Sequence, residues 1–330
     1  MNNADKKKGC FVISLDFEMM WGAIDLWQPK DYGNSHVGQV REVVKKLVDL
    51  FNKYQVHATF ATVGLMMNHD KREATDNTPH SVPSYKEKEK SPFHNQYINH
   101  IEDNDEHLYF APDLIEFLKE QSGIEIGTHT YSHYYCWEEG QTIEQFDADI
   151  NMACKVAKEN GIQLNSIVFP RNQVSDEHLK VCAKYGILSY RGNPEKFFGN
   201  TNNRLKLLYN KASRLIDAYI NWGGITYTPY HEIYLNKKPM NIPASRMLRP
   251  YIKKLRLLEF LRLHRIQKEM EHAAKNNELY HLWWHPHNFG ANLKENFAFL
   301  EKVLQCYKKC NQKYGMQSFT MNEFYNYLMK

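Results

Sequence analysis

Two periods alternate along this chain: short β-rich apolar runs, and stretches between them in which apolar residues recur at helical spacing. The first run, 10–15, leads into two carboxylates, Asp16 and Glu18. Val43, Val44, Leu47, Leu50 and Phe51 then predict a helix over 40–54, and a second strand-like run covers 57–64. Further helices are predicted over 112–121, 143–159, 176–185 and 293–314, with strands over 123–127, 166–169, 187–190 and 282–284. Pro112 suits a first helical turn. Residues 68–105 are polar and aperiodic, which marks an insertion or lid rather than core.

Repeated strand–helix units predict an α/β fold, a distorted (β/α) barrel formed as one domain over 9–330. The polar stretch 68–105 and a helical, basic stretch at 203–270 are expected as insertions within it. In such barrels the loops after the strands hold the chemistry.

Two local patterns stand at those places. In His129-Thr130-Tyr131-Ser132-His133 the histidines are i and i+4, so a helical turn would let both imidazoles reach one metal ion. A zinc protease of the usual motif has glutamate directly after its first histidine, where this chain has Thr130. The plainer reading is two ordinary histidines near a helix start. In Ser14-Leu15-Asp16-Phe17-Glu18 the acids are i and i+2, and in extended chain they face one side. One can ligate a metal while the other takes a proton from water. The competing reading is a pair of solvated acids at a strand end, but Phe17, Met19, Met20 and Trp21 suit a solvent-facing segment poorly.

These residues resemble the motifs of the polysaccharide deacetylase family with the NodB-homology fold, carbohydrate esterase family 4. The family's opening Thr-Phe-Asp-Asp is represented by Ser14 to Glu18. Its strand Ala-Thr-Phe-Phe-Val-x-Gly is similar to Ala58-Thr59-Phe60-Ala61-Thr62-Val63-Gly64, and its His-Thr/Ser-x-x-His is matched in full by His129 to His133. Phe169-Pro170-Arg171-Asn172 resembles the arginine–proline motif, and Leu282-Trp283-Trp284-His285 the late Leu-x-x-His. The five stand in the family's order.

The resemblance implies a metal-dependent deacylase on a barrel of the NodB-homology type. Glu18, His129 and His133 would hold a divalent ion, Zn2+ first, with Co2+, Ni2+ or Fe2+ as alternatives. Asp16 would be the general base, Arg171 would orient it and keep it ionised, and His285 would protonate the leaving amine. The backbone N–H of Tyr134 would help to stabilise the oxyanion. Two departures leave roles open. Asp16 and Glu18 are spaced by one residue where the family usually has adjacent aspartates, so which acid ligates is unsettled. Proline precedes Arg171, which makes Arg191 its rival. His287 rivals His285, although it reads more simply as a surface-loop histidine. Trp21, Tyr134, Trp284 and Arg191 are expected to contact substrate. They belong to an aromatic-rich neighbourhood with Trp27, Tyr131, Trp137 and Trp283, suited to the apolar faces of sugar rings, although core packing accounts for at least half of that set.

Composition narrows the picture. Hydrophobic residues are 42% and charged residues 24%, ordinary for a globular protein with a core. No apolar run approaches the ~20 residues that span a bilayer. Lys6 to Lys8 precede apolar residues as in a signal peptide, but Asp16 and Glu18 interrupt the run and no small-residue cleavage site follows. The expectation is therefore a cytoplasmic enzyme starting near Met1. The six cysteines read as reduced thiols. A net charge of +4 does not imply nucleic acid, and no recognition motif for it is present. The charge is concentrated instead. Within 246–270, Arg246, Arg249, Lys253, Lys254, Arg256, Arg262, Arg265 and Lys268 face only Glu259 and Glu269, among Leu255, Leu257, Leu258, Phe260, Leu261 and Leu263. A weaker copy of this mixture lies in 203–220, with Arg204, Lys206, Lys211 and Arg214. Such a segment can lie on an anionic membrane, so peripheral contact with the inner leaflet or a lipid-linked carrier is expected. A solvated basic helix face is the alternative.

The resulting expectation is removal of an N-acyl group, acetyl or formyl, from an amino sugar, in a nucleotide- or lipid-linked intermediate of surface polysaccharide. The alternatives are a cyclic-amide C–N hydrolase on the same fold and a catalytically inactive saccharide-binding relative.

Overall fold

The structure is a computed structural model that describes residues 7–193, 213, 216–219, 226–233, 235 and 237–330. Its centre is β1 (Cys10–Phe17), buried at all eight positions. Cys10 and Val12 join an inner apolar cluster with Ala61, Val168 and Leu279, while Phe11, Ile13, Leu15 and Phe17 join the larger core beneath the helices. A strand covered on both faces has to be almost continuously apolar, and this is how 10–15 reads. The polar residues on its inner face, Ser14 and Asp16, are therefore costly and call for partners.

The remaining strands are β2 (Ala58–Thr62), β3 (Ile124–Thr128), β4 (Ser166–Ile167), β5 (Ser189–Tyr190), β6 (Met240–Asn241), β7 (Arg246–Met247), β8 (Leu279–Trp284) and β9 (Gln317–Phe319). They form a curled sheet in the order β6-β5-β4-β3-β2-β1-β8-β7, with β9 beside the first residues of β1. Every paired neighbour is parallel. All C-terminal ends therefore meet at one rim, as in a (β/α) barrel, and among the described residues the ring is left open between β6 and β7.

Helices α1 (Val40–Tyr54), α2 (Lys71–Asp76), α3 (Pro112–Lys119), α4 (Ile143–Glu159), α5 (Asp176–Lys184), α6 (Glu259–Asn276), α7 (Leu293–Tyr314) and α8 (Met321–Met329) complete the fold. The helix α1 buries Val40, Val43, Val44, Leu47, Val48 and Phe51 on one face, the stripe its sequence spacing predicts. A capping box formed by Thr142 and Gln145 fixes the start of α4.

One expectation changes here. The stretch 203–270 is not a helical insertion throughout, because β6 and β7 lie within it as barrel strands and its long described helix begins only at Glu259. Two-residue strands are too short to show a period. The weaker basic stretch at Arg204, Lys206, Lys211 and Arg214 lies outside the described residues. Residues 68–105 run through α2 and short turns anchored by buried Asn77, Tyr85, Ile98 and Ile101.

Alternation along β8 decides the fate of its tryptophans. Tyr280, Leu282 and Trp284 face the helix layer, where Trp284 meets Phe51 and stacks on Phe289. Replacing Trp284 with alanine is expected to cost about 3–5 kcal/mol, while Trp27→Ala, at a side chain 53% exposed, should cost less than about 1 kcal/mol. Urea denaturation checks this, and equal losses would contradict the placement.

Candidate metal centre and active site

The site is assembled from the C-terminal ends of β1, β3, β5 and β8. Asp16 and Glu18 stand two residues apart at the end of β1, both buried. After Glu18 the chain turns sharply through Met19, whose φ is 47°. Gly22 then lies so close that a Cβ there would collide with the Glu18 carboxyl group.

Strand β3 delivers the histidines. His129 Nδ1 lies 2.7 Å from the Val168 carbonyl, and its Nε2 lies 3.4 Å from Glu18 Oε2. His133 Nε2 is 3.0 Å from the same oxygen. The expected helical turn is absent. The histidines converge through a loop in which Thr130 and His133 take φ values of 65° and 58°. Asp149, on α4, holds this conformation. Its carboxylate accepts the backbone N–H of Tyr131 at 2.7 Å and of Ser132 at 3.1 Å, together with the Ser132 hydroxyl. Burial pushes the Asp149 carboxyl up to about 6, against the pull of those hydrogen bonds. The Tyr134 N–H donates to Thr130 Oγ1 at 2.7 Å, so it serves the loop and is not free for an oxyanion.

Asp16 is held by Arg191. Two parallel bonds join them, Nη1 to Oδ1 at 2.5 Å and Nη2 to Oδ2 at 2.8 Å, and the guanidinium lies over the Trp283 ring. Arg191 also donates to Ser14 Oγ, which is 2.9 Å from His281 Nε2. Burial pushes the His281 imidazole down to about 3, with Arg191 adding to the effect. A neutral ring there accepts the Ser14 hydroxyl while its Nδ1–H faces the Ile242 carbonyl. Burial works against charge on Asp16, but the charge and hydrogen bonds of Arg191 outweigh it and hold the carboxyl below its ordinary range. Glu18 is likewise penalised by burial, yet His285, His129 and His133 hold it well below the usual value.

His285 follows β8 and stands 3.7 Å from both Asp16 Oδ2 and Glu18 Oε1. Its side chain is about one-fifth exposed, which makes it the most accessible of these groups. His287, read from sequence as a surface residue, is buried and lies 3.9 Å from Glu18 Oε1. Burial, with His285 beside it, pushes its imidazole down to about 3, so it stays neutral.

Arg171 does not orient Asp16. It lies four residues past the end of β4, in the loop at the rim, where it pairs with Asp25 at 2.6 Å and covers the Tyr135 ring. Arg191 directly follows β5 and so projects into the lumen. The aromatic expectation also changes. Trp21 packs edge-on against Tyr109 and Phe110, Tyr134 lies against Phe146 with its hydroxyl on the Thr142 carbonyl, and Trp284 faces the helices. Among the described residues the exposed tryptophans are Trp27, stacked on Tyr32 beside His287, and Trp137, in the loop after His133. Asp149 and His281 went unnoticed in the sequence, and Ser14 was named only as part of the motif around Asp16. The signal for Asp149 was a lone acid beside Phe146, Ile150 and Ala153 on an otherwise apolar helix face.

Glu18, His129 and His133 offer one donor atom each, all within 4.8 Å of one another. With its Nδ1 on the Val168 carbonyl, His129 directs Nε2 toward the Glu18 carboxylate, and His133 directs its own Nε2 to the same oxygen. Two imidazole nitrogens and a carboxylate oxygen converging in this way are a donor set for a divalent cation. The residues therefore fit a divalent ion.

The sequence profile described as polysaccharide deacetylase matches residues 6–189, more than half of the chain. The chain belongs to the polysaccharide deacetylase family. No curated protein matches its sequence. Among solved structures it is similar to a Mycobacterium smegmatis protein assigned to the polysaccharide deacetylases, with 11% identity, a TM-score of 0.58, and coverage of 100% of this chain and 93% of that one. A Pseudomonas aeruginosa PAO1 protein with the same assignment gives 12%, 0.53, 96% and 90%. The 4-alpha-glucanotransferase of Thermococcus litoralis gives 11% and 0.52, with 98% of this chain on 41% of that chain. At such identities the likeness concerns the fold, and the roles of residues in this deacetylase have to be argued from its own site.

The Asp16–Arg191 pair gives a signed prediction. A depressed carboxyl contributes stability above its unfolded pKa of about 4, and the contribution is lost as pH falls through the folded value. In Arg191→Leu the burial penalty is opposed only by the neighbouring His285 and His129, so the Asp16 carboxyl rises and stability should fall as pH is raised from about 5 to 8. Arg171→Leu should keep the wild-type profile. Urea midpoints across that range test it, and parallel behaviour of the two variants would refute the assignment.

Proposed function

We propose that this deacetylase removes an N-acyl group, acetyl or formyl, from an amino sugar by metal-assisted hydrolysis. The observation that carries the reading is the facing of His129 Nε2, His133 Nε2 and Glu18 Oε2 beside a separately ionised Asp16. Glu18, His129 and His133 are the ligands in this reading. The two-histidine, one-carboxylate donor set suits Zn2+ first, and accepts Co2+, Ni2+ or Fe2+. An ion bound there supplies Lewis-acid polarisation of the acyl oxygen and acidifies water.

The chain's own residues divide the proton work. Asp16, kept ionised by Arg191, accepts a proton from the attacking water. His285, between both carboxylates and the most open to solvent, donates a proton to the departing amine. Asp149 positions the histidine loop, and His287, neutral and buried beside Glu18, shields that carboxylate from water. Trp27 and Trp137 take the saccharide-stacking role in place of the buried aromatics. A nucleotide- or lipid-linked sugar of polysaccharide biosynthesis is the substrate class we favour.

Released acetate or formate from N-acylated sugar conjugates provides the test. Activity should vanish on chelation and return with zinc or cobalt. His285→Asn should lower kcat by about 10²–10⁴-fold with KM little changed. Trp27→Ala with Trp137→Ala should raise KM and spare kcat. Turnover that survives chelation would overturn the mechanism.

A further inference from the structure

The fold divides the cationic stretch 246–270 into two populations. Arg246, Arg262 and Arg265 turn inward. Arg246 and Arg265 share Glu269 at 2.8 and 3.0 Å and also meet Asp217, while Arg262 pairs with Glu259 and lies over the Phe299 ring. Their charge is spent on structure. Lys253, Lys254 and Arg256 occupy a short 3-10 turn, Lys253–Leu258, in which no residue is buried, and none of the three has an ion-pair partner among the described residues.

Large apolar side chains stand beside those cations. Leu257 is 78% exposed, Phe260 66% and Leu258 39%. Isolated exposed leucines are ordinary, but three large apolar groups within four residues, next to three cations without an ion-pair partner among the described residues, form a patch. Its place in the fold is set by topology. The strand β7 runs parallel to β8, so the chain leaves β7 at the same rim from which His285 emerges. The Tyr251 N–H then donates to Asn296 Oδ1 at 2.6 Å, in the first turn of α7, which follows the His285 loop. The patch therefore stands on the active-site rim.

We propose that Lys253–Phe260 is a docking surface for an anionic lipid bilayer, with the cations at the headgroups and Leu257, Leu258 and Phe260 in the acyl boundary. Charge complementarity selects this occupant. A second copy of the chain would bring like charges together, and a neutral surface would leave the cations unanswered. The geometry turns the site rim toward the membrane, so that a sugar carried on a membrane lipid meets the cleft without leaving its leaflet. The surface is independent of the hydrolytic chemistry proposed above, and either can fail without the other.

Co-sedimentation of the full chain with vesicles of phosphatidylcholine, alone or mixed with phosphatidylglycerol, tests the proposal. Binding is expected to the mixed vesicles at low salt and not to phosphatidylcholine alone. Each cation near the surface contributes about five-fold, so Lys253→Gln/Lys254→Gln/Arg256→Gln should bind about 100-fold more weakly. Leu257→Ser/Phe260→Ser should leave a weak residue that salt abolishes. Unchanged circular dichroism and thermal midpoint exclude misfolding of either variant. Equal binding to both vesicle types, wild-type binding by the triple variant, or no vesicle binding by the wild type would each overturn the assignment. Retention on an acidic protein without vesicle binding would overturn it in favour of a protein partner.

Discussion

Two carboxylates, two residues apart at the end of the central strand, have to remain ionised in a nearly dry lumen. Removing a carboxylate from water costs several kcal/mol unless it is paired and hydrogen-bonded, and two neighbouring negative charges add to the cost. The chain solves this differently for each acid. Asp16 is clamped by the planar fork of Arg191, itself supported by Ser14 and the Trp283 ring. Glu18 is surrounded by imidazoles, two of which present Nε2 to a single oxygen. The same local geometry that makes the pair expensive separates its members into two chemical environments, and distinct roles for the two acids rest on that separation.

The rest of the barrel can be understood as support for this arrangement. The strands β5, β3 and β8 bring Arg191, the histidine loop and His285 to one rim because all are parallel to β1 or to its neighbours. The loop of positive-φ residues between His129 and His133 is intrinsically unfavourable, and Asp149 anchors it from α4 with three accepted hydrogen bonds. Asp149 is thus a buried carboxylate held by two backbone N–H groups and the Ser132 hydroxyl, placed where it fixes the direction of two side chains.

Much of this was legible in the sequence. The helices 40–54, 143–159 and 293–314 carry long amphipathic periods, and the structure has them at those bounds. Asp16, Glu18, His129, His133 and His285 were named from motif order, and the fold brings them together. The errors have a common cause, since they concern direction rather than position. Arg171 and Arg191 are both basic and both follow strands, but only register distinguishes a residue at the strand end from one four positions beyond it. Trp284 and Trp283 differ by one step, which in a strand is a change of face. Two-residue strands such as β6 and β7 hold no period at all, and His287 lacked any local sign of burial.

The central claim is that Glu18, not Asp16, completes a two-histidine metal site. Metal content of the purified protein measures it directly, when the wild type, Glu18→Gln and Asp16→Asn are each loaded with zinc and dialysed. The account predicts about one equivalent in the wild type and in Asp16→Asn, and little in Glu18→Gln. Loss of zinc in Asp16→Asn with retention in Glu18→Gln would reverse the roles of the two acids, and no zinc in any of the three proteins would contradict the site itself.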